Sequence, residues 1–137
     1  MELTKDESNY LEGGAVYIKK SMGVFQGTMY ITSKRVVFCK RSGLMNGLLG
    51  PLFMHLTKGK IIVFEIPLNK LAKIGLEKHG FAKKYVFHHS NGDFEYIQFN
   101  MNANKWLDAI KSAVQTNVPN IQISQIGELI EFNAQKV

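Results

Sequence analysis

Residues Gly27–Lys40, GTMYITSKRVVFCK, constrain the fold more than any other stretch of the chain. Thr28, Tyr30 and Thr32 alternate with Met29 and Ile31. After the polar pair Ser33-Lys34 comes Arg35-Val36-Val37-Phe38-Cys39, rich in strand-forming side chains. Period-two alternation sends successive side chains to opposite faces of a sheet. Two such runs joined by two polar residues predict an antiparallel hairpin. A hairpin fixes register, because a one-residue slip turns every side chain to the wrong face.

The rest of the chain can be placed around this hairpin. Ala15–Lys20 reads as a first strand, closing on the basic, glycine-ended loop Lys19–Gly23, and the second strand runs from Val24 to Thr32. Lys60–Ile66 is a near-continuous apolar strand that Pro67 ends, and Leu71–Lys78 alternates. Ala82–His88 and Phe94–Asn100 flank Ser90-Asn91-Gly92-Asp93, and Asn-Gly is a strong hairpin signal. The period then changes. Trp106, Ile110 and Ala113, with Ala109 and Val114 beside them, form a stripe of period 3.6. A helix is predicted there, capped by Asn102 or Asn104 and ending near Asn117, before Pro119. Beyond it, Ile121–Ile123 is expected to be extended and Ser124–Ala134 to form a second short helix.

Bulk properties narrow the class. A chain of 137 residues, 45% hydrophobic and 20% charged, suits one domain with its own core. One cysteine, Cys39, allows no internal disulfide and fits a reducing compartment. The opening residues MELTKDESNY have neither a basic nor an apolar signal region, so an intracellular location is expected. No run approaches the roughly 20 apolar residues of a membrane-spanning helix. The formal charge is +6, but residues 1–12 carry −3 and residues 118–137 carry −1, which leaves +10 in residues 13–117. That excess favours anionic partners such as phospholipid headgroups or nucleic acid, though scattered lysines also serve solubility alone.

Seven strands followed by one helix predict a mainly β domain, a curved antiparallel sheet or open barrel with the helix closing one end. The order of elements resembles the pleckstrin-homology superfold. Gly27, Met29-Tyr30-Ile31-Thr32, Arg35-Val36-Val37-Phe38, Ile66-Pro67-Leu68, Tyr85-Val86-Phe87, Gly92 and Trp106 together resemble the pattern of GRAM domains. The resemblance implies a seven-stranded antiparallel barrel or sandwich capped by one helix. Its expected limits are residues 14–117, after a polar lead-in at 1–13 and before a C-terminal extension at 118–137. It also implies that the first, third and sixth loops crowd one open end. Phosphoinositide binding there would fall to Lys19 and Lys20, with Lys40 and Arg41 where the third strand leaves.

The stretch between Arg41 and Lys60 is unusual. Gly43, Gly47, Gly50 and Pro51 oppose a regular strand, yet Leu44, Leu48, Leu49, Leu52 and Phe53 make it very apolar. A loop of this length is long for a compact domain. Two readings stand. In one, these side chains enter a membrane interface while Lys19, Lys20, Lys40, Arg41, Lys58 and Lys60 meet anionic headgroups. In the other, residues 43–57 pack on the domain, on a protein partner or on a second copy of the chain. The lysines at 70, 73, 78, 83 and 84 cannot share one strand face and read as a solvated flank. His88 and His89 are adjacent and face opposite ways, and no pattern among these and His55 or His79 suggests a metal. No nucleophile–base constellation or phosphate-cradling glycine loop is evident, so neither enzymatic activity nor a cofactor is expected. Only Arg35 and Arg41 supply guanidinium groups, which disfavours nucleic acid.

Overall fold

The computed structural model describes residues 3–19, 23–41, 60–79, 82–100 and 102–134. Among these, nine strands form one sheet: β1 Asn9–Lys19, β2 Gly23–Thr32, β3 Arg35–Arg41, β4 Lys60–Pro67, β5 Leu71–His79, β6 Ala82–His89, β7 Phe94–Phe99, β8 Ile121–Ile126 and β9 Leu129–Ala134. Their order is β4-β3-β2-β1-β7-β6-β5-β9-β8, all antiparallel neighbours. One helix, α1, spans Ala103–Asn117 between β7 and β8. The expected class, mainly β with one helix after the seventh strand, is what forms. The sheet has nine strands rather than seven and is open.

The predicted hairpin has the predicted register. Ile31 pairs with Val36 and Gly27 with Lys40, around Ser33-Lys34. Met29, Ile31, Val36 and Phe38 enter the main core, while Tyr30, Val37 and Cys39 form a smaller buried cluster on the other face. Gly27 is required by a close approach. A Cβ there would collide with the carbonyl oxygen of Cys39 and stand 2.8 Å from Phe38 Cζ. In β5, an irregularity in the pairing between Leu71 and Lys73 lets Leu71 and Ile74 both reach the core.

The core joins sheet and helix. Trp106, Leu107, Ile110, Ala113 and Val114 are the buried positions of α1, as the period-3.6 stripe requires. The Trp106 ring stacks on Phe99, with centroids 5.2 Å apart and planes at 10°. Asn102 occupies the N-cap position, but its side chain makes no capping bond. At the other end, Asn117 Nδ2 donates to the Ala113 carbonyl at 2.8 Å and to the Tyr10 hydroxyl at 3.0 Å.

Two expectations need correction. The first strand begins at Asn9, so residues 1–13 are not simply a polar lead-in. Gly13 and Gly14 lie inside β1 because neighbours cross there: a Cβ on Gly13 would stand 3.1 Å from the Trp106 ring, and one on Gly14 2.8 Å from Asn100 Nδ2. The acidic segment is tied down as well. Glu7 is 7% exposed and receives Arg35 Nε at 3.0 Å, Arg35 Nη2 at 3.2 Å, the Thr4 N–H at 3.0 Å and the Thr32 hydroxyl. Burial alone would raise the Glu7 carboxyl, but the bonds from Arg35, Thr32 and Thr4 outweigh it and hold it at about 2.

The second correction concerns residues 124–134, which form a hairpin rather than a short helix. Ile126 pairs with Leu129 around Gly127, whose φ is +59°, and Ile130 and Phe132 are buried at period two. β9 adds to the β5 edge through Lys73–Glu131 and Ile74–Ile130. Ile130 and Phe132 thereby join the same core as α1.

Candidate functional site

Three loop flanks meet along one border of the sheet. The β1–β2 hairpin ends at the Lys19–Gly23 pair, while β3 and β4 end at the Arg41–Lys60 pair. A cavity of about 460 Å³ joins the Lys19 end of β1 to the β6–β7 turn and is lined by Tyr17, Ile18, Lys19, Gly92, Asp93, Phe94, Glu95 and Tyr96. The turn is set by an Asn91 side-chain bond to the Asp93 N–H, 2.9 Å, and by the His89 N–H on the Asp93 carbonyl, 2.7 Å.

The floor of this region is aromatic. Tyr17 stacks on Phe38 and tilts against Phe64, with centroids 5.6 and 5.4 Å away, and Phe25 lies on its other flank at 6.4 Å. Lys40 Nζ stands 4.9 Å from the Phe25 ring centroid, a cation over an aromatic face. The Tyr17 hydroxyl donates to Glu95 Oε2 at 2.5 Å. Burial, that bond and the Glu95 charge all push the phenol well above its ordinary range. Glu95 Oε1 lies 3.6 Å from His89 Nε2, a buried nitrogen with no hydrogen-bond partner.

A row of apolar side chains crosses the face turned away from the core. The pairings Val24–Ile18 and Ile18–Tyr96 set three of them side by side, and the Phe94 ring meets Tyr96 edge-on at 5.4 Å. Val24 is 63% exposed and Phe94 51%. Lys19, also exposed, adjoins the row through the cavity. This border therefore carries exposed apolar area on one face of the sheet and, by strand parity, Lys19 and Lys40 on the other, with Asp93 and Glu95 as local acids.

Of the residues expected to bind headgroups, Lys19 and Lys40 are on this border, and the main chain brings Arg41 and Lys60 into one pair. Lys20, Lys58, Leu44, Leu48, Leu49, Leu52, Phe53 and the side chains of Arg41 and Lys60 lie outside the described residues. Sequence reasoning missed Val24, Ile18, Phe94 and Tyr96 as a set. Each belongs to an alternating strand, and only the cross-strand register puts them in one row. The signal available was the parity of β1 and β7, which leaves Ile18 and Tyr96 on the face opposite Tyr17 and Ile97.

No protein-family model matches the chain, and no curated protein matches it. Solved structures do. A C-terminal domain of an unknown protein from Leishmania infantum is 12% identical, with a TM-score of 0.57 over 80% of this chain and 85% of that one. The Slm1-PH domain, in complex with D-myo-inositol-4-phosphate, is 14% identical, with a TM-score of 0.52 over 77% of this chain and 95% of that one. The linker-DH/PH domains of p115-RhoGEF are 8% identical, with a TM-score of 0.58 over 85% of this chain, which spans 31% of that chain's length. Likeness at such identities carries the fold. The fold is pleckstrin-homology-like, with a β8–β9 hairpin appended to the β5 edge.

Proposed function

We propose that this is a non-catalytic binding module of the GRAM type that docks peripherally on anionic membrane lipid, phosphoinositide included, through the border carrying Lys19. The observation that carries the reading is the exposed row Val24–Ile18–Tyr96–Phe94 at the same end of the sheet as Lys19 and Lys40, which lie on its opposite face. Apolar side chains enter the interfacial region while cations meet headgroups. On this proposal the sequence-expected cations Lys20, Arg41, Lys58 and Lys60 add charge, and Leu44, Leu48, Leu49, Leu52 and Phe53 add apolar contact. The inositol phosphate bound by the Slm1-PH domain supports an anionic headgroup as ligand for a domain of this shape. The absence of Lys and Arg from Val24–Thr28, together with the acids Asp93 and Glu95, favours a general anionic surface over a single tightly held headgroup. No helix among the described residues is long and apolar enough to cross a membrane, so the reading is of docking and not of spanning.

Liposome co-sedimentation tests this. Binding to vesicles containing anionic lipid, lost on neutral vesicles and weakened by salt, is the expected result. Protein that stays in the supernatant with anionic vesicles at low salt contradicts it. If the same protein proves dimeric by light scattering, the apolar surface serves a second copy instead.

A further inference from the structure

A second cavity, of about 520 Å³, lies where α1 begins. Its size is within the about 300–1,000 Å³ of small-molecule sites. Four parts of the chain build it: Lys83 and Tyr85 on β6, Asn100 after β7, Asn102 and Asn104 at the start of α1, and Glu128 in the β8–β9 turn. The first turn of α1 has no side-chain cap and no acidic residue. The Lys105 N–H is taken by the Asn102 carbonyl at 3.1 Å, which leaves the Ala103 and Asn104 N–H groups and the positive end of the helix dipole to an anion.

Tyr85 is an independent sign of a ligand. It is only 5% exposed, its ring packs on Phe99 with centroids 5.2 Å apart, and its hydroxyl makes no hydrogen bond among the described residues. The hydroxyl is not sealed in the core, since among the described residues only His89 Nε2 is a fully buried polar side-chain atom lacking a partner. It opens into the cavity. Tyr85 and Glu128 line the same cavity, where burial and the Glu128 charge raise the phenol. Neither Lys83 nor Glu128 is ion-paired among the described residues. Unpaired charges of both signs in one cavity suit a ligand that itself carries both.

We propose that this cavity binds a small zwitterion, an anionic group and a primary ammonium a few bonds apart. The anion sits on the Ala103 and Asn104 N–H groups of α1 and on Lys83. The ammonium is held by the Glu128 carboxylate and the Tyr85 hydroxyl oxygen. The Asn100 and Asn104 amides serve whatever polar atoms lie between. The same chemistry is offered by a free phosphoethanolamine-like metabolite and by a zwitterionic lipid headgroup.

The test is an amide NMR titration of the full chain with O-phosphoethanolamine, inorganic phosphate and ethanolamine in turn. O-phosphoethanolamine is expected to shift Ala103, Asn104 and Tyr85 saturably, and to bind about fivefold more tightly than phosphate. Glu128→Gln and Tyr85→Phe each reduce that preference, and neither removes an interaction that the fold uses. Competition by phosphatidylethanolamine vesicles identifies the headgroup as the source, and lack of competition identifies the soluble compound; either outcome supports the site. The proposal is overturned by no saturable shift at these residues, by equal affinity for phosphate and O-phosphoethanolamine, or by a preference that survives Glu128→Gln.

Discussion

Glu7 is the residue whose removal tells most about how the scaffold is held. Its carboxylate joins the N-terminal segment to the β2–β3 turn through Arg35 and Thr32, and Arg35 also reaches Glu65 Oε2 at 2.8 Å. Folding takes the carboxyl from 4.5 to about 2. At about 1.4 kcal/mol per tenfold change in proton affinity, this contributes about 3 kcal/mol at neutral pH. The sign follows from the direction. A lowered carboxyl stabilises fully above about pH 4.5, and the contribution disappears as pH falls toward 2. Glu7→Gln keeps the shape and loses the charge, so it costs about 3 kcal/mol at pH 7 but only about 1 kcal/mol at pH 3. Urea unfolding reads this directly, because Trp106 is the chain's one tryptophan and is buried against Phe99. With a slope of about 1–3 kcal/mol per molar, the midpoint at pH 7 falls by at least about 1 M. A Glu7→Gln midpoint within about 0.2 M of the parent at pH 7, or a gap that does not narrow at pH 3, refutes the reasoning.

Other consequences follow from the same geometry. Gly27→Ala pushes a methyl into the Cys39 carbonyl and the Phe38 ring; it should destabilise by about 2–3 kcal/mol in the same assay, and a change under about 0.5 kcal/mol would show that β2 and β3 do not cross as described. Trp106→Ala removes the ring stacked between Phe99 and the Gly13 backbone and should cost about 3–5 kcal/mol, read by thermal unfolding. His88 should titrate below its ordinary 6.5 by NMR, because burial and the nearby Lys73 charge disfavour the imidazolium; titration at or above 6.5 contradicts that placement.

Much of the scaffold was legible because its signals are local. The Gly27–Lys40 register followed from period-two alternation around a two-residue turn, and α1 followed from the spacing of Trp106, Ile110 and Ala113. The errors came where distant neighbours decide. Gly13-Gly14 reads as a loop until Trp106 and Asn100 are seen lying on it. Residues 124–134 offer Leu129, Ile130 and Phe132 to either a helix or a strand, and the open β5 edge selects the strand. The same holds for the candidate site. Lys19 and Lys40 were readable as cations flanking loops, whereas the row Val24–Ile18–Tyr96–Phe94 exists only through pairings between β2, β1 and β7.

The central claim is that this row and its flanking cations form a membrane-docking border. The most direct measurement compares the parent chain with Val24→Asp/Phe94→Asp on vesicles of the same anionic content and salt. Both side chains are more than half exposed, so the substitutions spare the core. Losing about 1 kcal/mol of apolar contact at each predicts a partition coefficient lower by about 30-fold, with unfolding unchanged. Equal vesicle binding by the parent and the double variant would contradict the account.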